Sequence, residues 1–92
     1  MNEEKFEKIK KKLSKSSVGI AGLGGLGSNA AIALARSGVG RLILVDYDIV
    51  EKNNLTRQYY FLDQIGQLKI ESLKENIKKI NPEIEIEIHW IL

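Results

Sequence analysis

Residues 18–27 read VGIAGLGGLG. A short apolar run (Val18, Ile20, Ala21, Leu23) leads straight into glycines at Gly22, Gly24 and Gly27, and an alanine-rich helical pattern follows at once. In a strand–turn–helix unit the first glycine allows a sharp turn. The second lets a phosphate approach the backbone, and the third lets the helix pack closely on the strand. Backbone N–H groups at the helix start, Gly25 included, then face the bound anion with the helix dipole behind them. Nineteen residues beyond Gly27, Asp46 closes a second apolar run. The stretch therefore reads as a nucleotide-binding turn.

The rest of the chain is short. Its 92 residues make one small domain, and 43% hydrophobic residues are compatible with a modest packed core. A net charge of +2 is too small to imply nucleic acid. With no cysteine there is no disulfide frame, thiol nucleophile or zinc–thiolate site. No apolar run approaches the ~20 residues of a membrane span, and the N-terminus lacks the apolar centre of a secretory signal. A cytoplasmic location is expected, with neither nucleic acid nor membrane as a partner.

Residues 1–17 carry six lysines and three glutamates, with Phe6, Ile9 and Leu13 at helical spacing. They read as a basic amphipathic helix packed on the sheet by its apolar stripe, or as a basic arm for phosphate or an acidic partner. After the glycine turn, a helix from Gly25 to Arg36 is rich in small residues suited to close packing. Ser37-Gly38 ends it, with Gly38 placed for the left-handed cap position. The continuous run Leu42–Val45 is that of a parallel strand covered on both faces.

From Tyr47 to Gln64 the periodicity is lost. Asn53 or Asn54 is placed to cap a short helix there, just past the carboxyl end of a strand, where open α/β sheets bind ligands. A further helix over 67–80 buries Ile70, Leu73, Ile77 and Ile80, with Glu75 and Lys79 paired outside. Asn81-Pro82 stops it. The last strand, over 83–89, alternates Glu83, Glu85 and Glu87 with Ile84, Ile86 and Ile88. One buried face marks an edge position. His89 falls on the acidic face and Trp90 on the apolar one.

Asp46 is placed to accept hydrogen bonds from ribose hydroxyls. Arg57 and Lys69 bear on the choice of nucleotide. A glycine turn alone can cradle a pyrophosphate, whereas a triphosphate rewards an added guanidinium and ammonium. Lys69 sits in the first turn of a helix, where the dipole disfavours a cation by a few tenths of a kcal/mol. Its side chain leans back toward the helix start. That placement makes sense if an anion lies there.

The segments GLGGLGS (residues 22–28), DYDIVEKNNLTRQ (46–58), GQLK (66–69) and INP (80–82) together resemble the ThiF/MoeB/HesA adenylyltransferases, bacterial relatives of ubiquitin-activating enzymes. The resemblance covers roughly residues 18–88. It implies that Asp46 holds the ATP ribose, that Gly22, Gly24, Gly25 and Gly27 hold the α-phosphate region, and that Asn54, Arg57, Gln58 and Lys69 contact the phosphates or orient the loop that does. Arg57 and Lys69 are the implied catalytic groups. The family's reaction is attack by the C-terminal glycine carboxylate of a ubiquitin-like sulfur carrier, of the thiamine or molybdopterin type, on the α-phosphate of MgATP. It yields an acyl-adenylate and pyrophosphate, by positioning and charge neutralisation.

Members of that family are longer. Their magnesium-binding aspartate and carrier-tail groove lie beyond the length of this chain, and it has no arginine before Arg36 to match one near the family's N-terminus. Ser28 is a helix-start serine with no catalytic role. The expected fold is α/β: a Rossmann-like, three-stranded parallel half-sheet in the order 3-2-1, with flanking helices and an N-terminal helix. Residues 18–92 would form the N-terminal half of the nucleotide-binding domain. Such a chain holds an ATP half-site without turnover and self-associates or takes a partner chain for the missing half. The other reading is a non-catalytic binding or assembly module for NAD or ATP, and Arg57 with Lys69 favours ATP.

Overall fold

Three strands linked by two helical crossovers make up the body of the computed structural model, which describes residues 2–92. Helix α1 spans Glu3–Ser14, β1 Ser17–Ala21, α2 Gly25–Ser37, β2 Arg41–Asp46, α3 Lys69–Ile80 and β3 Glu85–Trp90. Two short 3₁₀ turns, Lys52–Thr56 and Leu62–Gln64, shape the connection from β2 to α3. The sheet is parallel and ordered β1-β2-β3, the expected half-sheet.

Right-handed crossovers that step in one direction across a sheet place their helices on the same face. Helices α2 and α3 pack on each other there. Beneath them the register aligns Val18 and Ile20 with Leu42 and Leu44, and these with Ile86 and Ile88. Leu42, Leu44, Leu73 and Ile77 are fully buried, joined by Ala31, Ile32, Ala35 and Ile70. Each large aliphatic side chain removed from water there contributes about 1.5–3 kcal/mol. Gly38 ends α2 in the left-handed conformation (φ 93°), as its position implied.

Four expectations are corrected. Strand β2 is covered on one face only, because both crossovers put their helices on the same side. The opposite face shows Gly19, Ala21, Ile43 and Val45 beside a charged border of Arg41, Glu85, Glu87 and His89. Arg41 pairs there with Glu87, which also bonds His89 Nε2 at 2.7 Å. Helix α1 does not pack on the sheet. None of its residues is buried, Phe6 and Ile9 are 51% and 40% exposed, and Leu13 alone reaches the core. Only its last turn is held, where the Gly40 N–H donates to the Leu13 carbonyl at 3.0 Å. The helix stands on its own caps: Asn2 Oδ1 accepts from the Lys5 N–H at 2.8 Å, with glutamates in the first turn and lysines in the last.

Strand β3 begins at Glu85, not Glu83. The Asn81 side chain captures the Glu83 N–H at 3.3 Å, and the ladder starts where the Glu85 N–H meets the Gly40 carbonyl. Glu75 and Lys79 form no ion pair among the described residues. Lys79 Nζ lies over the Phe61 ring instead, 5.9 Å from its centroid.

Candidate functional site

The site is built at the carboxyl end of the strands, from the turn that leaves β1. Gly22 holds φ 91°, a value only glycine adopts without strain, and its N–H donates to the Val45 carbonyl at 2.8 Å. A Cβ at Gly27 would overlap the Gly22 carbonyl oxygen, so the first turn of α2 can lie against the strand end only because that position is bare. A Cβ at Gly24 would meet nothing within 4 Å, leaving that side of the turn open. The N–H groups of Gly25, Leu26 and Gly27 have no partner among the described residues. These are the orphan donors of a helix start.

Asp46 ends β2 directly beside this turn. Its Oδ2 accepts from the Leu23 N–H at 2.6 Å, while Oδ1 accepts from the N–H groups of Tyr47 (2.6 Å) and Asp48 (2.8 Å). Burial alone would raise its pKa. The N–H groups of Asp48, Leu23 and Tyr47, with the positive charge of Lys69, outweigh burial and hold the carboxyl below its ordinary 3.8. Asp46 is thus a brace for the glycine turn, and Oδ2 retains room to accept from a ligand hydroxyl.

Lys69 is the first residue of α3, and its N–H donates to the Asp48 carbonyl at 2.9 Å. The residue is only 6% exposed. Its ammonium has no hydrogen bond or ion pair among the described residues. Its Nζ keeps an opening to solvent, and the dipole of its own helix opposes a cation there.

The connection from β2 to α3 carries the remaining expected residues. Glu51, not Asn53 or Asn54, is the N-cap of the first 3₁₀ turn; Asn54 Oδ1 reaches back to accept the Glu51 N–H at 2.7 Å. The Asn54 amide therefore shapes the loop. Arg57 is exposed and its guanidinium is unpaired among the described residues, while its carbonyl accepts from Asn29 Nδ2 at 2.9 Å. Gln58 Oε1 is the one buried side-chain polar atom without a partner among the described residues.

Several supports escape a reading of the sequence. Tyr60 is 4% exposed and its hydroxyl donates to the Leu23 carbonyl at 2.7 Å. Ser28 Oγ, fully buried, accepts from the Tyr59 N–H at 3.1 Å. Gln64 and Asn76 exchange side-chain hydrogen bonds at 2.6 and 3.0 Å, and Asn76 Nδ2 also donates to the Tyr59 carbonyl at 2.9 Å. Of these, Asn76 alone carries a signal in the sequence, as a polar residue interrupting the apolar stripe of α3. Trp90, 54% exposed, donates from Nε1 to the Tyr47 carbonyl at 3.1 Å.

Orphan N–H groups, an unpaired ammonium and a braced carboxylate at one sheet end suit a ligand that is anionic at one end and carries hydroxyls at the other. No group of three or more metal-ligating side chains is assembled among the described residues, and no helix among them is long and apolar enough to cross a membrane.

The chain is similar in sequence and in fold to known proteins. The chain is 42% identical over 62 residues to ubiquitin-like modifier-activating enzyme 5 of Caenorhabditis elegans, an alignment covering 67% of this chain and 15% of that protein. It is 52% identical over 60 residues to tRNA threonylcarbamoyladenosine dehydratase of Bacillus subtilis (strain 168), covering 64% of this chain and 24% of the relative. Among solved structures, the E. coli tRNA N6-threonylcarbamoyladenosine dehydratase in complex with ATP superposes with a TM-score of 0.90 at 37% identity. That superposition covers 94% of this chain and 36% of the other. E. coli MccB with ATP gives 0.88 at 39% identity, covering 91% and 26%. The chain thus spans less than a quarter of the curated relatives' length. The model of the ThiF family matches residues 2–89, and the chain belongs to that family.

Proposed function

We propose that this chain binds ATP at its glycine turn, and that it is the nucleotide-binding portion of an enzyme that adenylates the C-terminal glycine of a ubiquitin-like sulfur carrier. The observation that carries the nucleotide reading is Lys69: a residue only 6% exposed, whose ammonium has no partner among the described residues and whose charge helps lower the Asp46 pKa. An anion supplied by a ligand would compensate it. In this reading the orphan N–H groups of Gly25 to Gly27 and the side chains of Arg57 and Lys69 meet the phosphates. Gly24 leaves room for their approach, and Asp46 Oδ2 accepts a ribose hydroxyl. The Asn54 amide and Gln58 hold the loop that carries Arg57. Bound ATP supplies an electrophilic α-phosphorus and a pyrophosphate leaving group; the chain's own groups neutralise charge and orient.

Two solved relatives were crystallised with ATP, and one of these proteins also with AMP, which supports a nucleotide here. The choice of a sulfur carrier rests on the family resemblance alone. We assign nucleotide binding to these residues, and the adenylation to the enzyme of which they are a portion. Cytoplasmic placement belongs to the same proposal.

Calorimetric titration of the chain with ATP, AMP and NAD tests it. ATP should bind best, and Arg57→Ala should cost tenfold or more, from a charge-assisted contact of ~1.5–3 kcal/mol. Equal affinity for ATP and AMP, unmoved by Arg57→Ala, would overturn the triphosphate reading. Preference for NAD would favour the alternative, a dinucleotide module that uses Asp46 on the ribose.

A further inference from the structure

We infer that Asn29 is a positioning residue for Arg57, an assignment that rests on the nucleotide reading above. Asn29 lies on the second turn of α2, where an asparagine contributes little to helix stability. Its amide has a different task. Nδ2 donates to the Gly25 carbonyl at 2.7 Å and to the Arg57 carbonyl at 2.9 Å. One NH₂ group therefore ties the first residue of the glycine-turn helix and the main chain of Arg57 to the same point. The approach is close, since a Cβ on Gly25 would stand 3.6 Å from that Arg57 carbonyl.

Neighbouring side-chain bonds tie the segment immediately after Arg57 to the helices, but not Arg57 itself. Ser28 Oγ takes the Tyr59 N–H and Asn76 takes the Tyr59 carbonyl, and Arg36 Nη2 reaches the Tyr59 hydroxyl at 3.4 Å. On the other side, the Asn54 carbonyl takes the Arg57 N–H at 3.4 Å and the Gln58 N–H at 2.9 Å, bonds within the loop that do not reach α2. The Asn29 amide is thus the one side chain holding the Arg57 peptide unit against the start of α2. The arginine side chain itself contacts no partner among the described residues. A free guanidinium on a clamped main chain is preorganised: its base is fixed beside the orphan N–H groups while its head stays available to the anion they face.

A positioning role has a signature that a merely structural one lacks, because the effect must pass through Arg57. The test is a double-mutant cycle of Asn29→Leu and Arg57→Ala in the 92-residue chain, read by ATP titration and by amide hydrogen exchange. Asn29→Leu keeps the size of the side chain and removes the donor. It should weaken ATP three- to tenfold. Adding Arg57→Ala should then cost little more than Arg57→Ala alone, and the salt dependence of ATP binding should flatten equally in both single variants. Exchange at Gln58 and Tyr59 should speed up while exchange along β2 stays slow. Additive losses, or ATP binding untouched by Asn29→Leu, would overturn the inference. If the wild-type chain binds no ATP, the nucleotide reading fails by itself, and the exchange data still judge the tie: unaltered protection at Gln58 and Tyr59 would remove it.

Discussion

The Tyr60 hydroxyl and the Leu23 carbonyl oxygen, 37 residues apart in sequence, are joined by a buried hydrogen bond of 2.7 Å. With the Asp46 carboxylate on the Leu23 N–H at 2.6 Å, both polar groups of one peptide-chain residue at the heart of the glycine turn are satisfied by side chains from elsewhere. The turn is therefore held from two sides, by the end of β2 and by the loop before α3.

Tyr60→Phe should leave the Leu23 carbonyl buried and unpaired, a loss of about 1–3 kcal/mol. Urea unfolding measures it. Burial, reinforced by the negative charge of Asp46, pushes the Tyr60 phenol well above its ordinary 10.0. The variant should accordingly lack the most alkaline step of the tyrosine absorbance titration. An unchanged titration would mean that the ring is not enclosed as described.

Asp46 makes stability depend on acid. A carboxyl held below its ordinary 3.8 in the folded chain contributes stability that is fully present above that value and is lost as pH falls through the lowered folded value. Asp46→Asn should therefore be less stable than wild type at neutral pH. The gap should narrow below pH ~4 and be gone once the wild-type carboxyl is protonated. Denaturant midpoints measured across that range check the sign.

Two glycines separate folding from binding. Gly27→Ala drives a methyl into the Gly22 carbonyl, and we expect a loss of about 3 kcal/mol or more, or no folded protein. Gly24→Ala places its methyl in open space. It should leave the melting temperature within a few degrees of wild type yet weaken ATP at least tenfold. Normal ATP binding by Gly24→Ala would move the phosphates away from that part of the turn.

The uncovered face predicts association. Among the described residues strand β1 pairs only with β2, and Gly19, Ala21, Ile43 and Val45 lie on the face away from the helices. Sedimentation should show concentration-dependent self-association. Ile43→Lys should reduce it without loss of helical signal, since that side chain points away from the core. A sharp monomer boundary at high concentration would show that the edge and face are shielded in solution.

Much of this architecture is legible in the residues themselves, for local reasons. The turn declares itself because three of its positions tolerate only glycine or an open approach, and β3 because one-residue alternation has a single geometric meaning. The sequence puts Lys69 in the first turn of α3, but nothing local says that the residue is buried. Burial is decided by the loop over 47–68, whose course follows from hydrogen bonds between distant side chains such as Gln64 with Asn76 and Ser28 with Tyr59. Helix α1 misled for a related reason. Its apolar spacing is real, yet a stripe of three side chains does not say which surface it meets, and only Leu13 finds one.

Strand order also bears on how the chain is made. Ser17 pairs with Arg41, and Arg41 in turn with Glu85. Each strand joins the one synthesised just before it, and none has to be inserted between two others. As the polypeptide emerges from the ribosome, β1, α2 and β2 can close first over a loop of modest entropic cost. The site loop and α3 can then settle on that base, with β3 added after them at the far margin from β1. Among these three strands assembly runs in the direction of translation, and the outer edge of β1 is left unpaired by them from the earliest stage.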